Sequence, residues 1–204
     1  MDEPTRTKPR NRLIEAAADL FHARSYGTVG IQDVCDRAEV RRGSFYYYFQ
    51  SKDELAIEAL ERSTDLLVAA VHEPAFSNGG SPREEFATFL DLLLEYAENL
   101  KQRYGVYAGC PIANLAEELS TIAPHIREKV DESLQRLATY YENAVRRAME
   151  SGDATPGDAA VTAQRILALT QGALLLAKVR NDAGVLSNLG DALAVVAGFR
   201  QDDR

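Results

Sequence analysis

Tryptophan is absent from this 204-residue chain, and cysteine, methionine and histidine number only two, two and three. Cys35 and Cys110 lie too far apart in a chain this size to suggest a disulfide framework, and they fit a reducing compartment. His22, His72 and His125 are scattered, and none has a cysteine or carboxylate partner at metal-ligand spacing, so no metal site is expected. There is no glycine-rich phosphate loop, no nucleophile elbow and no Cys-x-x-Cys. No catalytic residue and no cofactor is therefore expected, and an enzyme is disfavoured. Glu117 and Glu118 are adjacent, so they point to different helix faces and read as solvated carboxylates rather than an acid/base pair. No apolar run approaches the roughly 18 residues of a membrane span. The nearest, Ile166 to Ala177, is short and contains Thr170 and Gln171. The N-terminus carries no apolar signal region, so the expected location is the cytoplasm, with no membrane partner.

What is present is ordinary for a globular protein: 46% hydrophobic and 26% charged residues, in a length that fits one or two domains. The net charge of −8 argues, taken whole, against a nucleic-acid partner, because phosphate contact needs clustered Lys and Arg. The charge is uneven, however. Residues 1–50 carry eight basic side chains (Arg6, Lys8, Arg10, Arg12, Arg24, Arg37, Arg41, Arg42) against seven acidic ones, and the acid excess lies wholly beyond residue 50. The basic residues gather at 6–12 and at 41–42, with Lys52 just after.

Helical periodicity runs through nearly the whole chain. Leu13, Ile14, Ala17, Leu20 and Phe21 form one stripe on a helix from Arg10 to Ala23. Gly27 breaks the chain. Short helices follow at Ile31 to Ala38, with Cys35 inward, and from about Arg42 to Phe49, with Phe45 and Phe49 inward. Ser51-Lys-Asp-Glu54 has the pattern of a capping box and opens a long helix to about His72. Pro74–Pro82 is the clearest loop. Phe86 to Leu100 marks another amphipathic helix, and Tyr104 to Gly109 a break. Pro111 opens a short helix to about Ser120 and Pro124 a long one to about Glu150. The last two helices fall near Gly157–Arg180 and Val185–Phe199. The expected fold is all-α, with about nine helices and no strand pattern.

Residues 31–49 are helix, three-residue turn, helix: the size of a helix-turn-helix whose second helix enters the major groove. Such a helix needs a core side, here Phe45 and Phe49, and a polar outer side, here Arg42, Gly43, Ser44, Tyr46, Tyr47 and Tyr48. Arg42 suits either a guanine edge or a phosphate, and Tyr hydroxyls and the Lys52 ammonium suit phosphate oxygens. Spacing alone fits an aromatic-rich core helix in a generic bundle equally well. Three consecutive tyrosines nevertheless point three ways on a helix, so at least one must leave the core.

The segment Gly27-Thr-Val-Gly-Ile-Gln-Asp-Val-Cys-Asp-Arg-Ala-Glu-Val-Arg-Arg-Gly-Ser-Phe-Tyr-Tyr-Tyr-Phe-Gln-Ser-Lys-Asp-Glu-Leu55 resembles the DNA-binding domain of TetR/AcrR-type transcriptional regulators, a likeness that covers about residues 8–60. The resemblance implies a homodimeric regulator with an N-terminal three-helix domain, basic arm included, over 1–52. It also implies a helical ligand-binding and dimerisation domain over 53–204. Its operator contacts map onto Gln32, Arg41, Arg42, Gly43, Ser44, Tyr46, Tyr47, Tyr48 and Lys52. Such regulators are mostly repressors that release double-stranded operator DNA when a small molecule binds. The sequence departs from the pattern at Gly30, where the family usually has Thr or Ser, and at Arg41, where it often has Ser. A helical protein–protein interaction module without DNA binding is the rival reading.

Gly109-Cys-Pro-Ile-Ala-Asn-Leu-Ala-Glu-Glu-Leu-Ser120 is similar to a motif of a TetR-type subgroup that includes repressors sensing reactive electrophiles and small unsaturated acids. Cys110 precedes a helix start, where backbone amides and the macrodipole favour a thiolate. Either a reactive thiol, giving an electrophile or redox sensor, or a buried structural cysteine fits that position. Tyr104, Tyr107, Cys110 and Asn114 are the candidate ligand-binding residues. Small and apolar residues of the last two helices (Ala168, Gly172, Ala173, Leu176; Leu186, Leu189, Leu193, Val196) suit a dimer interface or ordinary intrachain packing.

Overall fold

A computed structural model describes residues 8–200; Arg6, in the basic arm, lies outside the described residues. The fold is all-helical, and the expected helices reappear with revised ends. α1 spans Pro9–Ala23, α2 Ile31–Ala38, α3 Arg42–Tyr48 and α4 Lys52–Leu67. The helix expected to stop at His72 passes through a π-helical segment, Val68–His72, and runs on as α5, Glu73–Phe76. The first residues of the expected Pro74–Pro82 loop are thus helical. α6 is Pro82–Tyr104, α7 Pro111–Leu119, α8 Pro124–Ser151 and α9 Ala159–Arg180. The last expected helix is cut at Asn188 into α10, Gly184–Ser187, and α11, Leu189–Val196. Among the described residues the only extended pairing is an isolated bridge, Ala154 with Phe199.

The packing separates two compact units. Among the described residues, one holds 8–65 together with Pro111–Asp131; the other holds Leu66–Cys110 and 132–200. The first unit therefore contains α1–α3, most of α4, α7 and the start of α8. Its core gathers Leu13, Ala17, Val34, Cys35, Phe45, Phe49 and Leu55, all shielded from solvent. Phe45 and Phe49 stack at 5.8 Å between ring centroids, as their one-turn spacing requires.

The cap chemistry of this unit differs in detail from the sequence pattern. Ser51 Oγ accepts from the Glu54 amide at 3.1 Å, but the Glu54 carboxylate returns to the amide of Gln50 at 2.7 Å, one residue earlier than a capping box predicts. At Gly30, which has no side chain to cap α2, Asp33 Oδ2 accepts from the Gly30 amide at 2.7 Å and supplies the other half of a box. Glu39 ends α2 in the left-handed region, and the Arg12 guanidinium reaches its carbonyl. That places a cation at the C-terminus of α2, the favourable end for it.

The second unit is held by an aromatic cluster of Phe76, Phe86, Phe89, Tyr140 and Tyr141 around His72. A true capping box opens α6: the Glu84 carboxylate accepts from the Ser81 amide at 2.9 Å, and the Ser81 hydroxyl accepts from the Glu84 amide. The Ser81 amide and the Ser81 hydroxyl, both donating to that carboxylate, hold the Glu84 carboxyl below its usual range. Glu85, 3% exposed, pairs with Arg147. By length and composition α9 could cross a bilayer, contrary to the expectation of no such run. Core helices of soluble proteins pass the same test, and α9 packs against α10 and α11. Of the residues expected at a dimer face, Ala173, Leu186, Leu189 and Leu193 are buried within the unit. The others expected there, Ala168, Gly172 and Leu176, are exposed and Val196 is half-buried; Val161, Leu175, Val179 and Val195 are outward apolar residues as well.

Candidate functional site

α3 is short because its residues serve two opposed sides. Phe45 is buried and makes an edge contact with Tyr46 at 5.2 Å. Arg41, Arg42, Gly43, Ser44, Tyr46 and Tyr47 are all exposed, Tyr47 at 83%. A Cβ on Gly43 would meet nothing within 4 Å, so the start of the helix presents bare backbone to an approaching surface. Tyr48 is half-buried against the core and lies edge-on to Tyr47 at 4.9 Å. Gln32, exposed on α2, hydrogen-bonds Asp36 at 2.7 Å. Within the first unit the structure thus gathers the arginines, glycine, serine and two tyrosines of the expected contact set on one solvent-facing side of α3.

Lys52 sits differently. Its ammonium donates to the carbonyl of Tyr26 and lies 3.8 Å above the centroid of the Tyr26 ring, with Phe21 further off at 5.7 Å. Burial pushes its pKa down from the ordinary lysine value, opposed by Glu118, Asp53 and Asp33. One of its three N–H donors holds the turn between α1 and α2. Tyr26 is the hub of that turn. Its hydroxyl donates to Asp53, and burial first and Asp53 second push its pKa well up. Asp53 also pairs with His125 at 3.3 Å. Glu118, expected as a solvated carboxylate, instead accepts from the Tyr26 and Gly27 amides, and like Tyr26 it finds its partners through the fold rather than through spacing.

Two of the expected ligand-binding residues, Tyr104 and Tyr107, lie with Cys110 in the second unit, whereas Asn114 lies on α7 in the first. The Tyr107 hydroxyl donates to Glu98 at 2.6 Å and its amide to Asn181 at 2.9 Å, which pins the chain just before Cys110. Cys110 is 5% exposed and immediately precedes α7. It lies near enough to the fully buried Tyr141 to push that phenol's pKa up, after burial itself. Tyr141 hydrogen-bonds His72 Nε2 at 3.0 Å and is also bonded to Thr170, whose hydroxyl donates to Ile166 at 2.9 Å. Burial pulls the His72 pKa down to about 4, so the imidazole is neutral at physiological pH. Cys110 therefore borders a buried polar row of side chains, His72, Tyr141 and Thr170, which spacing along the chain does not bring together. Among the described residues no group of three or more His, Cys, Asp or Glu side chains is placed to hold a metal ion.

Residues 13–59 match the family described as "Bacterial regulatory proteins, tetR family", and residues 84–193 match "Tetracyclin repressor-like, C-terminal domain". The chain is similar to the HTH-type transcriptional repressor NemR of Escherichia coli, with 27% identity over 191 residues, 92% of this chain and 93% of that protein. It is similar also to the transcriptional regulator AcuR of Cereibacter sphaeroides, with 26% identity over 188 residues, 87% of this chain and 84% of that one. Among solved structures, the reduced form of E. coli NemR superposes with a TM-score of 0.74 at 26% identity, over 97% of this chain and all of that one.

Proposed function

The chain belongs to the tetR family of bacterial regulatory proteins, ligand-responsive DNA-binding regulators rather than enzymes, and from that premise we propose that it is a cytoplasmic, homodimeric repressor. It releases its operator when a small molecule binds, or reacts, within the second unit. The observation that carries the DNA side is the division of α3: Phe45 anchors one face, while Arg41, Arg42, Gly43, Ser44, Tyr46 and Tyr47 present the other. Arg42 is assigned to a base edge, the tyrosine hydroxyls to phosphates, and Gln32 and Tyr48 to the margin of the contact. The outward apolar residues of α9 and α11 are assigned to the two-fold interface.

The effector is assigned to the neighbourhood of Cys110, inside the Gly109-Cys-Pro motif, with Tyr104 and Tyr107 on the same unit. The place of Cys110 just ahead of the start of α7, where helix amides favour a thiolate, supports the reading in which the effector is a reactive carbonyl or a quinone. A gel shift with the DNA upstream of the protein's own gene, at two salt concentrations, tests the first part; no specific shift would refute it. Arg42→Ala is expected to weaken specific binding more than random binding, and equal losses would move Arg42 to a phosphate. Cys110→Ser treated with a reactive carbonyl or quinone is expected to stay on its operator. Release equal to the unsubstituted protein would remove thiol chemistry from the mechanism.

A further inference from the structure

The second glutamate of the Cys110 motif sits in an unexpected place. Glu118 lies on α7, and both of its carboxylate oxygens are spent on consecutive backbone amides of the turn that leads from α1 into α2. Oε1 accepts from the Tyr26 amide at 2.9 Å, and Oε2 accepts from the Gly27 amide at 2.8 Å. Two successive N–H groups that point the same way form a concave anion seat, of the kind that ordinarily takes a phosphate or carboxylate. Here the anion is built in and comes from about ninety residues further along the chain. Gly27 is shaped for it: a Cβ at that position would lie 3.3 Å from Oε2, too close for the carboxylate to hold both bonds undisturbed. The same peptide is gripped from its other side by Lys52, which takes the Tyr26 carbonyl, and by Asp53, which takes the Tyr26 hydroxyl. Val29 and α2 follow directly, and α2 sets the position of α3 through their shared core.

We propose that Glu118 is a positioning residue for operator reading: it fixes the entry to the helix-turn-helix, and through it the pose of α3, without approaching the DNA-facing side chains. Because it is a carboxylate in a DNA-reading unit, positioning and electrostatics predict opposite outcomes when its charge is removed. Loss of a negative charge alone strengthens binding to any DNA. Loss of the seat weakens binding to the selected sequence only.

The experiment uses the full-length protein and a duplex that it selects from a randomised pool, titrated by fluorescence anisotropy beside a random duplex. Glu118→Gln retains one acceptor oxygen and turns an NH2 group toward an amide donor, so one of the two bonds is replaced by a donor–donor clash. It is expected to lose about tenfold or more in affinity for the selected duplex, while random-duplex affinity stays within twofold or rises. Amide exchange at Tyr26 and Gly27 is expected to accelerate. Glu117→Gln, the same charge change on the exposed neighbour, is expected to leave selected binding within twofold. Gly27→Ala keeps the charge and displaces the carboxylate by a few tenths of an ångström; it is expected to act in the same direction, more weakly, and serves if Glu118→Gln does not fold. Selected-duplex affinity that is unchanged or tighter in Glu118→Gln would overturn the proposal. So would parallel loss on both duplexes, or, where only Gly27→Ala folds, undiminished discrimination in that variant.

Discussion

Replacing Lys52 by methionine separates two roles that a lysine at the start of α4 can have. The apolar stem is kept and the ammonium removed. In the structure that ammonium donates to the Tyr26 carbonyl and covers the Tyr26 ring at 3.8 Å. A hydrogen bond from a charged donor contributes about 1.5–3 kcal/mol, and a partly exposed cation–π contact about 0.5–1 kcal/mol. Solvent screening of a half-buried side chain brings the net loss to about 2 kcal/mol. In a chain of this length that is roughly 4–8 °C of melting temperature, for a two-state transition. A phosphate contact would leave a different trace. Each one lost flattens the dependence of log affinity on log salt by about 0.9, so by about 1.8 for a dimer. The strut seen in the structure predicts a lower melting temperature and an unchanged salt slope on random DNA. The assay is thermal unfolding beside binding titrations at four or five salt concentrations. A slope reduced by about 1.8 with an unchanged melting temperature would refute the strut.

Three further outcomes follow from the packing. Phe45→Ala is expected to cost about 3–5 kcal/mol, measured by urea unfolding, because the ring is wholly buried between Phe49 and the rest of the head core. Val179→Glu, at a residue 74% exposed on α9, is expected to leave monomer stability within about 0.5 kcal/mol while weakening self-association in sedimentation, since only a two-fold partner would bury it. Arg147→Met strands the Glu85 carboxylate, and its cost depends on pH. Burial pushes the Glu85 carboxyl above its usual range even with Arg147 beside it. The native state therefore keeps that proton to a higher pH than the unfolded chain does, and stability falls as pH rises through the interval. Without Arg147 the interval widens upward, so urea unfolding is expected to show a loss of about 3 kcal/mol at pH 8 and much less near pH 4.5; equal losses at both would refute the pairing.

Local sequence carries most of the reading helix. Phe45 and Phe49 at one-turn spacing must share a face, and the run Tyr46 to Tyr48 cannot all follow them inward; the structure exposes the first two and half-buries the third. Periodicity also locates every long helix, because burial of one stripe is a property of the segment itself. It fails where a partner is distant. Glu118 reads as a solvated carboxylate until the fold brings Tyr26 and Gly27 to it. Lys52 reads as a free cation until Tyr26 folds beneath it. The π segment ending at His72 has no composition of its own. It follows from burying His72 against Phe89 and Tyr141, contacts made across the aromatic cluster of the second unit. On α9 the expected Ala168, Gly172 and Leu176 do face outward, whereas Ala173 is buried. The helix is apolar nearly all round, so the sequence cannot say which side meets its own unit.

The acid excess also takes on a different meaning once its partners are known. A near-neutral head would hold little DNA if its carboxylates faced the same solvent as its arginines. Six of them have partners within the unit, although Asp33 and Glu54 stay exposed. Asp33 is turned onto the Gly30 amide, Glu54 onto the Gln50 amide, Asp53 onto Tyr26 and His125, Glu118 onto the turn, Glu58 onto Arg10 and Asp19 onto Arg37. Acids in this unit therefore serve as caps and struts, and the side of α3 that carries Arg41 and Arg42 is more positive than the count of charges implies. Two arginines still supply few phosphate contacts, so the salt-dependent part of binding is small. Discrimination must then rest on how accurately the tyrosine-bearing face is aimed. On the proposed reading, the residues that fix the turn ahead of α2 then bear on recognition together with the outward side of α3.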